Sequence, residues 1–173
     1  PFVIDGCAVR EQLAEDVRRI CSTMYSFAAV KGDGSVVTWG DTVMGGDSRA
    51  VREQLVEDVQ RIYSTDGAFA AVKGDGSAVT WGDADYGGGS YAVREQLVEG
   101  VQHISSANAA FAAVKGDGSV VTWGDPLCGG DSNAVKEQLV ADVQHISSTC
   151  AAFATVKGDG SVVTWGDPDY GAD

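Results

Sequence analysis

Few side chains in this sequence could do chemistry, and most of them recur at fixed spacing. Cysteines stand at Cys7, Cys21, Cys128 and Cys150, and histidines at His103 and His145. A structural zinc site needs clustered thiolate or imidazole ligands, and no C-x-x-C pair occurs. The simpler reading is free thiols in a reducing compartment; a single disulfide stays open. His103 and His145 occupy the positions of Arg19 and Arg61 in a repeating pattern, so they read as replacements on a polar face. A catalytic histidine would need a nucleophile and an orienting group beside it, and the pattern supplies neither. Asp33, Asp75, Asp117 and Asp159 each sit in a Gly-Asp-Gly segment. Asp-rich and Gly-rich loops can offer oxygens to calcium, but each segment offers one carboxylate, with a lysine two residues before it (Lys31, Lys73, Lys115, Lys157). Turn formation accounts for Asp-Gly without a metal. No metal or cofactor is therefore expected.

The tryptophans impose the organisation. Trp39, Trp81, Trp123 and Trp165 are 42 residues apart, as are Phe27, Phe69, Phe111 and Phe153. The 173 residues contain four copies of one unit, assigned to 8–49, 50–91, 92–133 and 134–173, with 1–7 as the tail of a preceding unit. A constant period of this size marks a solenoid, a propeller or a related array, in which units bury their apolar faces against each other. Neither end is visibly modified as a polar cap. The array is expected to close on itself, to meet a partner at its ends, or to sit within a longer array. The tryptophans could stack sugars or bases, but their fixed phase points to packing between units.

Within one unit, Val51, Leu55, Val59 and Ile62 fall within about 80° of one another on a helical wheel. Good helix formers surround them, so a helix is predicted over 50–61, with Val59 to Ser64 equally readable as a short strand. Ala68 to Lys73 and Ser77 to Gly82 are apolar runs flanking Gly74-Asp75-Gly76, the pattern of a β-hairpin. Phe69 and Ala71 share one face of the first strand; Val79 and Trp81 share one face of the second.

Acidic residues number 25 against 12 basic ones, a formal net charge of −13. Such a chain does not displace counterions from phosphates, so nucleic acid is not an expected partner. No apolar run approaches the roughly 20 residues of a membrane-spanning helix.

The stretch D-G-S-V-V-T-W-G-D-P-D-Y-G at 159–171, repeated in variant form in every unit, resembles the RCC1-like repeat. Val143, Ile146, Ser147 and Ser148 occupy the family's upstream V-x-x-I and small-residue positions, and Phe153 to Val156 its second strand. The resemblance implies β-propeller blades, here a partial ring, since family rings usually have seven. The local pattern favours a helix plus β-hairpin (αββ) array instead. The family's histidine in that strand gives way to a stretch ending in phenylalanine, and its Asn-x-x-Gly-Gln signature becomes Asp-based. Nucleotide exchange in the family uses an inserted wedge, absent from this strict period. A HERC-type ubiquitin ligase needs a separate catalytic domain, and every unit here is a repeat.

What differs between units is the set of loop residues. Met24, Tyr25, Met44, Tyr86, Tyr91, Leu127 and Tyr170 are apolar or aromatic at variable positions. Loop ends on a rigid scaffold commonly carry recognition, and Tyr and Met are favoured contact residues. The reading is a non-enzymatic protein-binding scaffold, a subunit or segment of a larger assembly. The alternatives are a small-ligand or calcium-binding module, and the RCC1-like recruiting domain of a HERC-type ubiquitin ligase.

Overall fold

The computed structural model describes residues 6–172. A short helix, α1 (Gly6–Gln12), precedes twelve strands. These are β1 (Val17–Ser22), β2 (Ser26–Lys31), β3 (Val36–Gly40), β4 (Val59–Ser64), β5 (Ala68–Lys73), β6 (Ala78–Gly82), β7 (Val101–Ser106), β8 (Ala110–Lys115), β9 (Val120–Gly124), β10 (Val143–Ser148), β11 (Ala152–Lys157) and β12 (Val162–Gly166). Each consecutive triplet forms one antiparallel three-stranded sheet, ordered as in the chain. Neighbouring sheets stack face to face as blades, with the first strands of successive blades adjacent. The blades form a partial ring. The reading of 1–7 as the tail of an earlier unit falls mainly on residues 1–5, outside the described range.

The predicted hairpins form as expected. Phe69 pairs with Trp81 across β5 and β6, and the same pairing recurs in the other three blades. In the turn, Ser77 N–H donates to Asp75 Oδ1 at 2.8 Å, and Gly76 takes a φ of 78°. A residue with a side chain is disfavoured there, which explains the second glycine of the motif.

The helix predicted over 50–61 does not form, and with it the αββ array is overturned. A short 3₁₀ segment covers Arg49–Gln54, and strand β4 starts at Val59. Between them Asp58 adopts a left-handed φ of 65°, as do Asp16 and Asp142 at 64°. Gly100 holds this position in the third unit, with a φ of 78°. A left-handed residue ends a right-handed helix. The apolar stripe is real but is divided between a turn and a strand. Leu55, Val59 and Ile62 all enter one core cluster with Ala28 and Val30 of the preceding blade. Burial between blades rewards this split more than continuous helix would.

Both faces of each interior middle strand are buried. Ala68, Ala70 and Val72 pack against blade three, while Phe69 and Ala71 pack against blade one. This is why the F-A-A-V run shows no polar alternation. The alanines bring the sheets close.

One contact fastens each blade to the one before it. Trp81 Nε1–H donates to the Gly45 carbonyl at 3.0 Å, Trp123 to Gly87 at 3.0 Å, and Trp165 to Gly129 at 3.1 Å. The Phe69 ring stacks on Trp81 with centroids 5.2 Å apart. A methyl placed on Gly45 would lie 2.6 Å from that phenylalanine ring, and Gly45 has a φ of 97°. The glycine is thus required twice, for its backbone angle and for the close approach.

Two substitutions test this. Trp123→Phe leaves the buried Gly87 carbonyl unpaired and should lower unfolding free energy by about 1–3 kcal/mol. Gly87→Ala places a side chain at positive φ against Phe111 and should cost a similar amount, about 1–3 kcal/mol. Urea unfolding followed by tryptophan fluorescence measures both.

Candidate protein-interaction surface

The loops that carry the variable residues lie at one end of the array, because β2 leaves that end and β3 returns to it. Each unit contributes two of them. The first joins its opening two strands, and the second follows its third strand. They are tied together by side chain to backbone bonds. Thr65 Oγ1 donates to the Tyr86 carbonyl at 2.8 Å, Thr23 to the Met44 carbonyl at 3.1 Å, and Thr149 to the Tyr170 carbonyl at 3.1 Å. Within the second loop an aspartate opens a short turn: Asp41 accepts from Val43 and Met44, Asp83 from Asp85, and Asp125 from Leu127. These bonds suit Asp at such positions and hold the loop backbone in one shape.

A second set of bonds links the loops across blades. Met24 N–H donates to the Asp66 carbonyl, Asp66 to Asn108 and Asn108 to Cys150, each at 2.9 Å. Met24, Asp66, Asn108 and Cys150 therefore stand in one row, one per unit, on a fixed backbone ladder. A cleft of about 330 Å³ beside it is lined by Ser22, Met24, Ser64, Asp66, Ser106 and Asn108 among others. Of this row the sequence reading picked out Met24 alone. The available signal was that four residues of equal phase all differ just after a Ser-Thr pair kept in three of the four units.

Six of the seven residues singled out from sequence belong to this end. Met24, Tyr25, Leu127 and Tyr170 are exposed, and Met44 and Tyr86 are half-buried. Met44 and Tyr86, from successive units, meet around Gly67: a methyl there would lie 2.7 Å from Met44 Sδ and 2.8 Å from Tyr86 Cγ. Tyr91 is elsewhere. It is 88% exposed and begins the 3₁₀ segment Tyr91–Leu97, beside Ala50, Val51 and Ala78 on the outer edge.

The remaining polar groups have local roles. Thr155 Oγ1 donates to the His145 carbonyl at 2.7 Å. His103 is half-buried rather than on an open polar face. Tyr63 Oη and His103 Nδ1 lie 3.1 Å apart, and the His103 and His145 rings are 5.8 Å apart. Burial first, then the neighbouring His145 and Arg61, holds the His103 pKa below the ordinary histidine value. Cys21, Cys128 and Cys150 are free; the side chain of Cys7 lies outside the described residues. Burial pushes the Cys21 and Cys128 thiols up, which disfavours the reactive thiolate. Asp33, Asp75, Asp117 and Asp159 are held below the usual carboxylate range, chiefly by the serine two residues on. Among the described residues no three His, Cys, Asp or Glu side chains converge. No described helix is long and apolar enough to cross a membrane.

The stacked three-stranded blades, joined by loops at one end, define a β-propeller-type repeat protein of RCC1-like fold. Yeast Prp20p (Saccharomyces cerevisiae) is similar over 91% of this chain and 45% of its own, with a TM-score of 0.60 and 14% identity. Yeast RCC1 (Prp20) in a structure with Kap60 matches over 89% and 44%, TM-score 0.59, 14% identity. Human WBSCR16 matches over 87% and 47%, TM-score 0.55, 18% identity. The chain thus spans somewhat under half the length of these proteins. No family model and no curated protein matches the sequence.

The histidine geometry makes stability depend on pH. Folded His103 resists a proton that the unfolded chain accepts, so its contribution is complete above the ordinary histidine pKa and falls as pH drops through it. Urea midpoints measured from pH 7.5 to 5.5 should decline, and His103→Gln should flatten the decline.

Proposed function

We propose that this chain is a non-enzymatic scaffold that binds protein through the loop end of its blades. The observation that carries the reading is the backbone ladder at Met24, Asp66, Asn108 and Cys150, flanked by Tyr25, Met44, Tyr86, Leu127 and Tyr170. A rigid frame presenting changeable Met and Tyr side chains binds with little loss of conformational freedom. The neighbours' fold supports the same use: Prp20p has binding properties toward Gsp1p and histones, and yeast RCC1 is seen bound to Kap60. Those partners belong to those proteins. For this chain the net charge of −13 favours a basic protein partner over nucleic acid. Raised thiol pKa values at Cys21 and Cys128, and histidine and serine side chains engaged in structural bonds, support a role without catalysis.

The test is affinity capture from the source lysate with the wild-type chain and alanine variants. Met24→Ala, Tyr25→Ala and Tyr170→Ala together should reduce the retained partner at least about tenfold, as loss of interface anchors does. Tyr91→Ala, on the outer edge, should leave retention unchanged. Equal retention by all variants would move the binding site off this end.

A further inference from the structure

The four cysteines fall at four different phases of the repeat, yet the fold brings two of them into one joint. Cys128 stands where the other units have Met44, Tyr86 and Tyr170. Cys150 stands where they have Met24, Asp66 and Asn108. Between the first two blades, a methyl on Gly67 would lie 2.7 Å from Met44 Sδ. Two units further along, Met44 becomes Cys128 and Gly67 becomes Ala151, the residue after Cys150.

The contacts in the joint between blades three and four agree. The Cys128 side chain packs against the cluster that holds Ala107 of the third unit and Phe153 of the fourth. The Ala109 N–H faces the Cys128 sulfur. The amide one residue earlier, Asn108 N–H, donates to the Cys150 carbonyl at 2.9 Å. Two consecutive amides thus meet the sulfur of one cysteine and the backbone of the other. A negative charge on Cys150 also acts on Cys128. Cys150 is exposed, and so is Asn108 at the same place one unit earlier, so the exposure belongs to the row.

The loop that carries Cys128 is also the one without its threonine tether. Thr23, Thr65 and Thr149 bond the carbonyls of Met44, Tyr86 and Tyr170, but Ala107 has no hydroxyl to offer the Cys128 carbonyl. That loop is freer than its counterparts to make the small adjustment a disulfide's geometry requires.

We propose that Cys128 and Cys150 form a reversible disulfide that ties the third unit's second loop to the fourth unit's first loop. The oxidant is a small-molecule disulfide of the glutathione class. The exposed Cys150 gives up its proton and attacks one sulfur of the oxidant, whose S–S bond breaks, and the departing thiolate takes up a proton. Cys128 then loses its proton and attacks Cys150 Sγ, displacing the second small thiol. Two protein S–H bonds are exchanged for one S–S bond, and one small disulfide is reduced to two thiols. The cross-link replaces the tether that Ala107 cannot make. It forms at the end proposed for partner binding, but its test uses no partner, so either reading can fail alone.

The full chain, incubated with oxidised glutathione, alkylated and digested with trypsin, tests this by mass spectrometry. Cleavage after Lys115, Lys136 and Lys157 puts the two cysteines on separate peptides, 116–136 and 137–157. The expected product is these two peptides joined, short of two hydrogens, and released by dithiothreitol. It should form at least about tenfold faster in the native chain than in concentrated urea, because the fold raises the effective concentration of the pair. The oxidised chain should show a higher urea midpoint than the reduced chain. Cys128→Ser and Cys150→Ser should each abolish that difference, while circular dichroism of the reduced variants stays that of the wild type. Glutathione retained on Cys150 without the joined peptides, Cys150 linked to a second chain or to Cys21, or equal rates in native buffer and urea would overturn the proposal.

Discussion

The hydrogen bond from a tryptophan indole to a glycine carbonyl in the preceding unit is the constraint on which the rest of this molecule depends. It requires the tryptophan to lie at the blade interface, where Trp81, Trp123 and Trp165 are 3–4% exposed. Burying an indole N–H without a partner is costly, so the carbonyl must be aimed at it. Aiming it requires a positive φ at the glycine. The phenylalanine stacked on the indole then needs the glycine's bare Cα beneath it. Three residue identities across two units, tryptophan, phenylalanine and glycine, are tied by one contact, which favours a constant 42-residue spacing.

That constraint also sets where variation is permitted. Residues within the joint repeat almost without change, while loop residues fixed by backbone bonds and by threonine hydroxyls differ from unit to unit. The frame is held by N–H and C=O groups that every residue possesses, so Met24, Asp66, Asn108 and Cys150 can occupy equivalent places with unrelated side chains. The third unit has Ala107 where Thr23, Thr65 and Thr149 anchor the second loop, so one of these anchors is missing there. The loop end thus presents a row of differing side chains on a backbone held by hydrogen bonds.

Electrostatics plays a smaller part. The aspartates of the hairpin turns are stabilised in their charged form by serine hydroxyls and backbone N–H groups within the same turn, and all four are fully exposed. They shape the turns and add to the net negative charge without building a cation site. The position that holds arginine in the first two units holds histidine in the last two, where the His103 ring meets His145 at a tilt and Tyr63 of the second blade edge-on.

The repeat, its length, the hairpin strands and the inward phase of Phe69 and Trp81 were all legible in the sequence, because each follows from local pattern: a constant period, an Asp-Gly turn and alternation of faces. The RCC1-like likeness of the D-G-x-V-x-x-W-G stretch points to blades from sequence alone. The segment 50–61 was not legible. Its apolar stripe has helical spacing, and only packing against Ala28 and Val30 of the neighbouring blade decides that it breaks at Asp58 and continues as strand. The seven candidate contact residues were found by their variability, yet their grouping was not. Tyr91 differs from the other six only in where the chain carries it after the Gly-rich loop. The ladder that aligns Met24 with Asp66, Asn108 and Cys150 is made of backbone atoms, which carry no sequence signature, so tertiary structure alone could place those four side chains in one row.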